Sequence, residues 1–259
     1  MRISFIGAGR VATHLARTLK REHEIVDVWS RDLKHAVNLA EQVGAQAKHV
    51  LNQLHSDIDL AVIAVSDQAI ADVIVALSGI LKNVLIVHTS GSTNLNILTE
   101  HHQRSGVFYP LQTFSFERDV EWSNTPIFIE AIEAMDAITL TNIAESLTQR
   151  VYQYDSAQRL SLHLAAVFAS NFTNYCYDMA KQVVDAKQVD FSLLYPLILE
   201  TANKVTQSDP KLMQTGPAVR GDQNIINMHT QMLADAKRED LKQIYGLLSQ
   251  SIINRHDQS

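Results

Sequence analysis

A chain of 259 residues with a formal charge of −6 and no extended basic run lacks the electrostatic footprint of a nucleic-acid binder. Its single cysteine, Cys176, excludes an intramolecular disulfide, and no Cys/His cluster has metal-ligand spacing, so no metal site is expected. A length of 259 residues allows one large or two modest domains, and two are expected; the cysteine usage, the lack of a charged leader before the first strand and the lack of a bilayer-length apolar run predict a cytoplasmic protein with no membrane partner.

The chain opens on an apolar strand, Ile3-Ser4-Phe5-Ile6, that runs straight into Gly7-Ala8-Gly9-Arg10-Val11-Ala12. A strand, a Gly-x-Gly-x-x-Ala turn and a helix make a dinucleotide pocket. Gly7 permits the tight turn, Gly9 lets a pyrophosphate approach the backbone, and Ala12 lets the helix pack close to the sheet. The helix N-terminus offers unpaired N–H groups and a partial positive charge. Gly7, Ala8, Gly9, Arg10 and Val11 are therefore the candidate pyrophosphate cradle.

After a helix over roughly 11–21, Glu24 to Trp29 reads as the second strand. An acidic residue about 20 positions past the glycines would bind the ribose 2′-OH of NAD. Here that place holds Ser30-Arg31, a hydroxyl and a guanidinium suited to a 2′-phosphate, and the cofactor expected is NADP. The competing reading makes Arg31 a solvated residue at the start of the next helix and turns Asp32 to the ribose. That helix, Leu33 to Val43, should stop at Gly44, with a short strand over Gln46 to His49.

Asp59 to Val65 and Val84 to Val87 are continuous apolar runs, the signature of parallel strands covered on both faces. They end in Ser66-Asp67-Gln68 and His88-Thr89-Ser90-Gly91-Ser92, with a helix over 69–77 between them. Polar residues thus gather at the carboxyl ends of successive strands, where ligands bind in a doubly wound sheet. Val65, Ser66 and Ser90 are candidate cofactor contacts; Ser66, Asp67 and Ser90 also suit helix N-caps. A helix over 95–103 leads to a strand, Gly106 to Tyr109, where Pro110 should end the pairing. Gln112, Thr113 and Ser115 are then carried over the same sheet edge, either to meet nicotinamide or substrate or to form a hydrogen-bonded loop with no ligand role. Ile127 to Ile129, a helix over 134–149 and Val151 to Tyr154 complete the first domain, and Glu130, Glu133 and Asp136 read as structural acids at a helix start.

From Ser156 onward no strand is predicted. The expected architecture is an α/β fold, a doubly wound, mostly parallel sheet over 1–155, followed by an all-helical dimerisation and substrate domain over 156–259. One long helix over 157–186 is apolar almost all round between Leu162 and Cys176, which points to cover by a second copy of the chain. His163, Ser170, Asn171 and Asn174 interrupt it, with His163 and Asn171 eight apart and near one face. Histidine can donate a proton near neutral pH and asparagine can orient a carbonyl or imine, so these two are the candidate catalytic residues. A core histidine satisfied by a neighbouring helix is the other reading of His163. Further on, Asp190 should cap a helix over 191–207 that Pro196 bends or delays. Thr215 to Asp222 forms a shaped loop whose Arg220 holds either an anion or Asp222. His229 reads as structural, and Arg255 to Ser259 should fray from a terminal helix.

Five separated segments carry a family resemblance over almost the whole chain: Phe5 to Ala12, His88 to Gly91, Tyr109 to Phe114, His163 to Phe172, and Thr215 to Asp222. The sequence resembles a bacterial family of Rossmann-like proteins whose C-terminal half is a domain of unknown function. It looks like a relative of pyrroline-5-carboxylate reductases, deazaflavin-dependent NADP reductases and the 6-phosphogluconate and β-hydroxyacid dehydrogenases. The resemblance implies an NADP-binding N-terminal domain and a helical domain that forms a homodimer and closes the active site. It departs from the β-hydroxyacid dehydrogenases in having His163 and Asn171, and no lysine before Lys181, in the long helix. The Ser or Thr that polarises an imine in pyrroline-5-carboxylate reductases has no motif match at Ser161 or Ser170. The function expected is hydride transfer between NADP(H) and a small carbonyl or imine in the interdomain cleft, with Ser90, Gln112 and Thr113 on the nicotinamide side. A non-catalytic NADP(H)-binding sensor or assembly protein is the alternative.

Overall fold

Strands that are apolar on both faces need cover on both sides, and residues 1–153 supply it in the computed structural model, which describes residues 1–257. The strands are β1 (Arg2–Ile6), β2 (Glu24–Trp29), β3 (Gln46–Lys48), β4 (Leu60–Ile63), β5 (Leu85–His88), β6 (Ser105–Pro110), β7 (Ile127–Ala131) and β8 (Val151–Gln153). They form one sheet in the order β3-β2-β1-β4-β5-β6-β7-β8. Pairing is parallel except between β6 and β7, where Pro110 lies opposite Ile127 and Gly106 opposite Ala131. All eight expected strands are present; the reversal at β7 has no counterpart in the sequence reading.

The connecting helices are α1 (Arg10–Leu19), α2 (Leu33–Val43), α3 (Ile70–Ser78), α4 (Asn96–Thr99) and α5 (Ala134–Glu145). Alternation along the strands sorts the core into two layers. Ile3, Phe5, Val28 and Val62 meet Ala12, Leu15, Leu39 and Leu140 of α1, α2 and α5. Ile6, Ile63 and Ile86 meet Ile70, Ile74 and Leu98 of α3 and α4. Crossovers leave β1 and β4 in opposite directions, so a crevice opens at their carboxyl ends, the switch point where doubly wound sheets bind ligands. α4 is shorter than the expected 95–103. Buried His102 ends it by turning inward, where its Nε2 donates to the Val84 carbonyl at 2.7 Å and the chain swings into β6.

The long helix expected over 157–186 forms as α6 (Ser156–Ala166), a π-helical turn over Val167–Phe172 and α7 (Thr173–Asp185). Two compact units divide within it, Met1–Asn171 and Phe172 onward. α6 thus goes with the sheet although the change from α/β to helical sequence comes at Ser156, because it is anchored there. A capping box of Asp155 and Gln158 starts it. Arg159, 1% exposed, then ion-pairs with Glu130 of β7 and donates to the Thr93 carbonyl at 2.5 Å. Glu130 is structural as expected, and Asp136 holds Arg104 at 2.5 Å.

In the second unit Asp190 accepts from the Ser192 amide, a 3₁₀ turn follows, and Pro196 sits in the first turn of α8 (Tyr195–Gln207). Pro196 therefore marks a late start and bends nothing. Asp222 accepts from the Ile225 amide to cap α9 (Gln223–Asp235) as expected, and of the two readings of Arg220 the tie to Asp222 is not found among the described residues. α10 (Glu239–Asp257) packs on α9, with His229 Nδ1 and the Tyr245 hydroxyl 3.0 Å apart. It stays helical through Asp257 where fraying is expected from Arg255; Gln258 and Ser259 lie outside the described residues. Tyr175 and Val183 of α7 and Leu197 and Leu199 of α8 are exposed.

Candidate functional site

The turn after β1 is built so that only glycine fits its first position. Gly7 has φ +125°, and a Cβ there would stand 2.2 Å from the Ala64 carbonyl oxygen at the end of β4. Its amide donates to the Trp29 carbonyl at 2.8 Å, so the turn is wedged between the ends of β2 and β4. Gly9 is the opposite case: it begins α1 in extended conformation with no side-chain cap, and a Cβ on it would meet nothing within 4 Å. The first helical amides, at Arg10, Val11 and Ala12, lie ahead of the first intrahelical bond, from Thr13 to Gly9, and no acid occupies the first turn. This open backbone beside a helix N-terminus fits a dinucleotide pyrophosphate. Ala8 and Val11 pack against the core beneath.

At the end of β2 the two readings of Arg31 separate. Asp32 accepts from the Lys34 amide at 2.9 Å and caps α2, so its carboxylate is engaged by its own helix. Ser30 is half-buried, and Arg31 is exposed with no ion pair among the described residues. Around the other strand ends, Val65 packs against the core while Ser66 is exposed, and its side chain caps nothing, contrary to the capping expectation. Asp67 accepts from the Ser92 hydroxyl, where a helix cap was expected. Ser90 Oγ accepts from the Ser92 and Thr93 amides at 3.2 and 3.0 Å, shaping the turn after β5.

Beneath that turn His88 is fully buried, and its Nδ1 accepts from the Ser90 amide at 3.2 Å. Burial, reinforced by nearby Arg159, pushes its pKa down to about 3, so the ring is neutral and serves as a backbone prop. Gly91 follows, and here too a side chain is excluded: its Cβ would lie 2.6 Å from the Tyr109 ring and 2.7 Å from His163 Nδ1. Tyr109, at the end of β6, and His163, one turn beyond Arg159 on α6, meet with hydroxyl and Nδ1 3.3 Å apart. Burial pushes the Tyr109 phenol up to about 12, so it is a hydroxyl at neutral pH.

A groove of about 760 Å³ runs from this pair, lined by Tyr109, Gln112, Thr113, His163, Ser170 and Asn171 together with apolar neighbours. No Lys, Arg, Asp or Glu lines it. His163 and Ser170 are half-buried; Asn171, like Asn174, is exposed. Ser170 and Asn171 fall in the π-helical turn, a local widening that often accompanies functional sites. The Gln112 side chain folds back to accept from the Thr113 amide at 2.8 Å. Their loop is tied to one face of α1, where Arg10 lies over the Phe116 ring at 5.7 Å and His14 Nε2 donates to the Ser115 carbonyl at 2.6 Å. Gly7 to Val11 thus stand at the helix N-terminus, Ser30 and Arg31 at the end of β2, and Val65, Ser66 and Ser90 at the ends of the next strands. Gln112, Thr113, His163 and Asn171 share the groove. Sequence reasoning passed over Tyr109 as a site residue and Arg159 altogether; the Asp155-x-x-Gln158 capping box, which fixes where α6 begins, was the readable signal for the latter. Among the described residues no cluster of His, Cys, Asp or Glu is placed to hold a metal, and no helix is long and apolar enough to cross a membrane.

Comparison with known proteins supports the fold and the cofactor. Residues 2–91 match the model of the family described as NADP oxidoreductase coenzyme F420-dependent, and residues 125–252 match a domain of unknown function, DUF2520. No curated protein matches the chain. Among solved structures, a candidate NADP oxidoreductase from Bacteroides fragilis is 43% identical over 98% of both chains, with a TM-score of 0.90. A protein from Thermotoga maritima is 21% identical, with a TM-score of 0.69 over 99% of this chain and 98% of that one. An imine reductase from Myxococcus stipitatus in complex with NADP+ is 15% identical, with a TM-score of 0.71 over 99% of this chain and 96% of that one. The latter two show a shared fold alone. With the Bacteroides match extending along nearly the whole of both chains, this chain belongs to the family of Rossmann-like NADP oxidoreductases whose C-terminal half is DUF2520.

Proposed function

We propose that this chain is an NADP-dependent oxidoreductase acting on a small carbonyl or imine. The single observation that carries the reading is the hydrogen-bonded Tyr109–His163 pair, set against Gly91 in a groove at the same sheet edge as the dinucleotide turn. Bound NADPH would supply a hydride to the carbonyl or imine carbon. His163 gives the matching proton to the oxygen or nitrogen, Asn171 orients that group by hydrogen bonding, and Gln112 and Thr113 border the nicotinamide side. The absence of charged residues in the lining favours a substrate with an uncharged, largely apolar body.

Gly7 to Val11 hold the pyrophosphate in this reading, and Ser30 with Arg31 hold the 2′-phosphate. Arg31→Ala is then expected to weaken NADPH by about 10–100-fold, the worth of a charge-assisted hydrogen bond, and to leave NADH unchanged. Fluorescence titration of the two cofactors checks it. The reading itself is tested by NADPH consumption against a panel of neutral ketones, keto acids and cyclic imines. Oxidation with the neutral members ahead of the acids is the expected result. A protein that binds NADPH and consumes none with any member is a binding protein, and the catalytic reading fails.

A further inference from the structure

His163 has two ring nitrogens, and only a protonated one can serve as an acid, so whatever fixes its tautomer decides whether the groove is competent. Tyr109 is buried, and a buried phenol needs an acceptor. Among the described residues its hydroxyl finds one, His163 Nδ1 at 3.3 Å, with the rings edge-on at 6.2 Å between centroids. If Nδ1 carried the hydrogen, the phenolic hydrogen would be left without a partner against the Gly91 backbone. If Nδ1 is bare, both groups are satisfied. The neighbours leave the pair little freedom to part. Gly91 has no side chain precisely where a Cβ would strike both rings, Phe128 packs on Tyr109 at 6.1 Å, and Arg159 pins α6 one turn before His163.

We propose that Tyr109 is the positioning residue for His163: its hydroxyl donates to Nδ1 and thereby keeps the imidazole proton on Nε2, the nitrogen left for a ligand in the groove. The Nε2–H tautomer is then pre-set before any substrate arrives. Proton transfer breaks the Nε2–H bond and forms O–H or N–H on the reduced substrate. As that proton leaves, the Tyr109 hydroxyl passes its own to Nδ1 along the bond already in place, so the ring never becomes an imidazolate, and solvent returns a proton to the phenolate after release. That His163 acts on a substrate rests on the function proposed above; the tautomer does not.

The test is therefore made on the whole chain without substrate. Long-range proton–nitrogen correlation spectra of the ¹⁵N-histidine-labelled protein report the tautomer of each ring, and loss of signals in His163→Gln identifies those of His163. The expected spectrum shows bare Nδ1 and protonated Nε2, and Tyr109→Phe lowers the ratio of the two tautomers by up to about tenfold, the worth of one hydrogen bond. An Nδ1–H ring in the wild-type protein overturns the proposal, and that spectrum needs no variant to fold. So does a ratio unmoved in a Tyr109→Phe protein that melts with the wild type. On a substrate found by the panel, Tyr109→Phe should lower kcat and leave the KM for NADPH in place. A tautomer shift without turnover in any protein means the catalytic reading fails and the pair stands; turnover with an unmoved tautomer means the reverse.

Discussion

Gly7→Ala is expected to lose NADPH binding and to melt roughly 10 °C below the wild type. Two penalties fall on the one residue. A φ of +125° is a conformation that L side chains rarely adopt, and the new Cβ would stand 2.2 Å from a backbone oxygen, Ala64 O, which has no rotamer to yield. Strain and overpacking of this kind each cost about 1–3 kcal/mol, and 1 kcal/mol moves the melting temperature of a chain this size by roughly 2–4 °C. Relief requires β1 and β4 to part, which widens the crevice and pulls the amides of Arg10 and Val11 off the pyrophosphate position. Gly9→Ala separates the two effects. Its φ of −80° suits alanine and its Cβ meets no protein atom, so it should melt with the wild type yet bind NADPH poorly. Thermal unfolding and NADPH titration of both variants decide the matter; equal melting temperatures for Gly7→Ala and wild type would sink the account of the turn.

His163→Ala should do the reverse: retain NADPH affinity within about twofold and lose about 10²–10⁴ in kcat, the usual worth of a positioned general acid. The ring is half-buried and among the described residues makes one hydrogen bond, to Tyr109, so its removal leaves a single phenol short of an acceptor and should disturb the fold little. The nearest parts of the proposed cofactor site, the Gly91 turn and the Gln112–Thr113 loop, are held by other contacts, the first by Ser90 and the second by His14 through Ser115. Turnover equal to wild type on any substrate of the panel would remove His163 from the mechanism. Unchanged turnover together with lost NADPH affinity would make it a cofactor contact.

The parts of this molecule that were legible in sequence are those whose cause is local. The Gly7 turn, the apolar runs of β4 and β5, the stop at Gly44 and the cap at Asp222 each depend on a few neighbouring side chains, and each is where the pattern put it. The reversal at β7 was hidden because an apolar run has a period but no direction; Ile127 to Ile129 reads the same in either sense. The π-helical turn was hidden because Val167 to Phe172 contains no proline or glycine and would suit an α-helix equally. Tyr109 read only as the end of a strand for a different reason. Its partner lies 54 residues away on an element of another class, and only tertiary structure brings a phenol to an imidazole. Ser66 shows the opposite failure, a residue type suited to capping whose side chain caps nothing.

The reversal at β7 also fixes where the proposed proton donor, His163, can stand. Because β8 follows β7 away from the ligand edge, the chain must come back, and α6 does so lying along β6 in the same sense. Arg159 touches Glu130, which pairs with Val107, and His163 touches Tyr109, two residues further along the strand. Four residues of helix advance about 6 Å and two residues of strand about 6.7 Å. Helix and strand therefore act as two rulers of nearly equal scale, clamped at Arg159 and read at His163. One residue inserted between those marks would swing the imidazole about 100° around the helix and leave the clamp closed, a folded protein whose groove has lost His163.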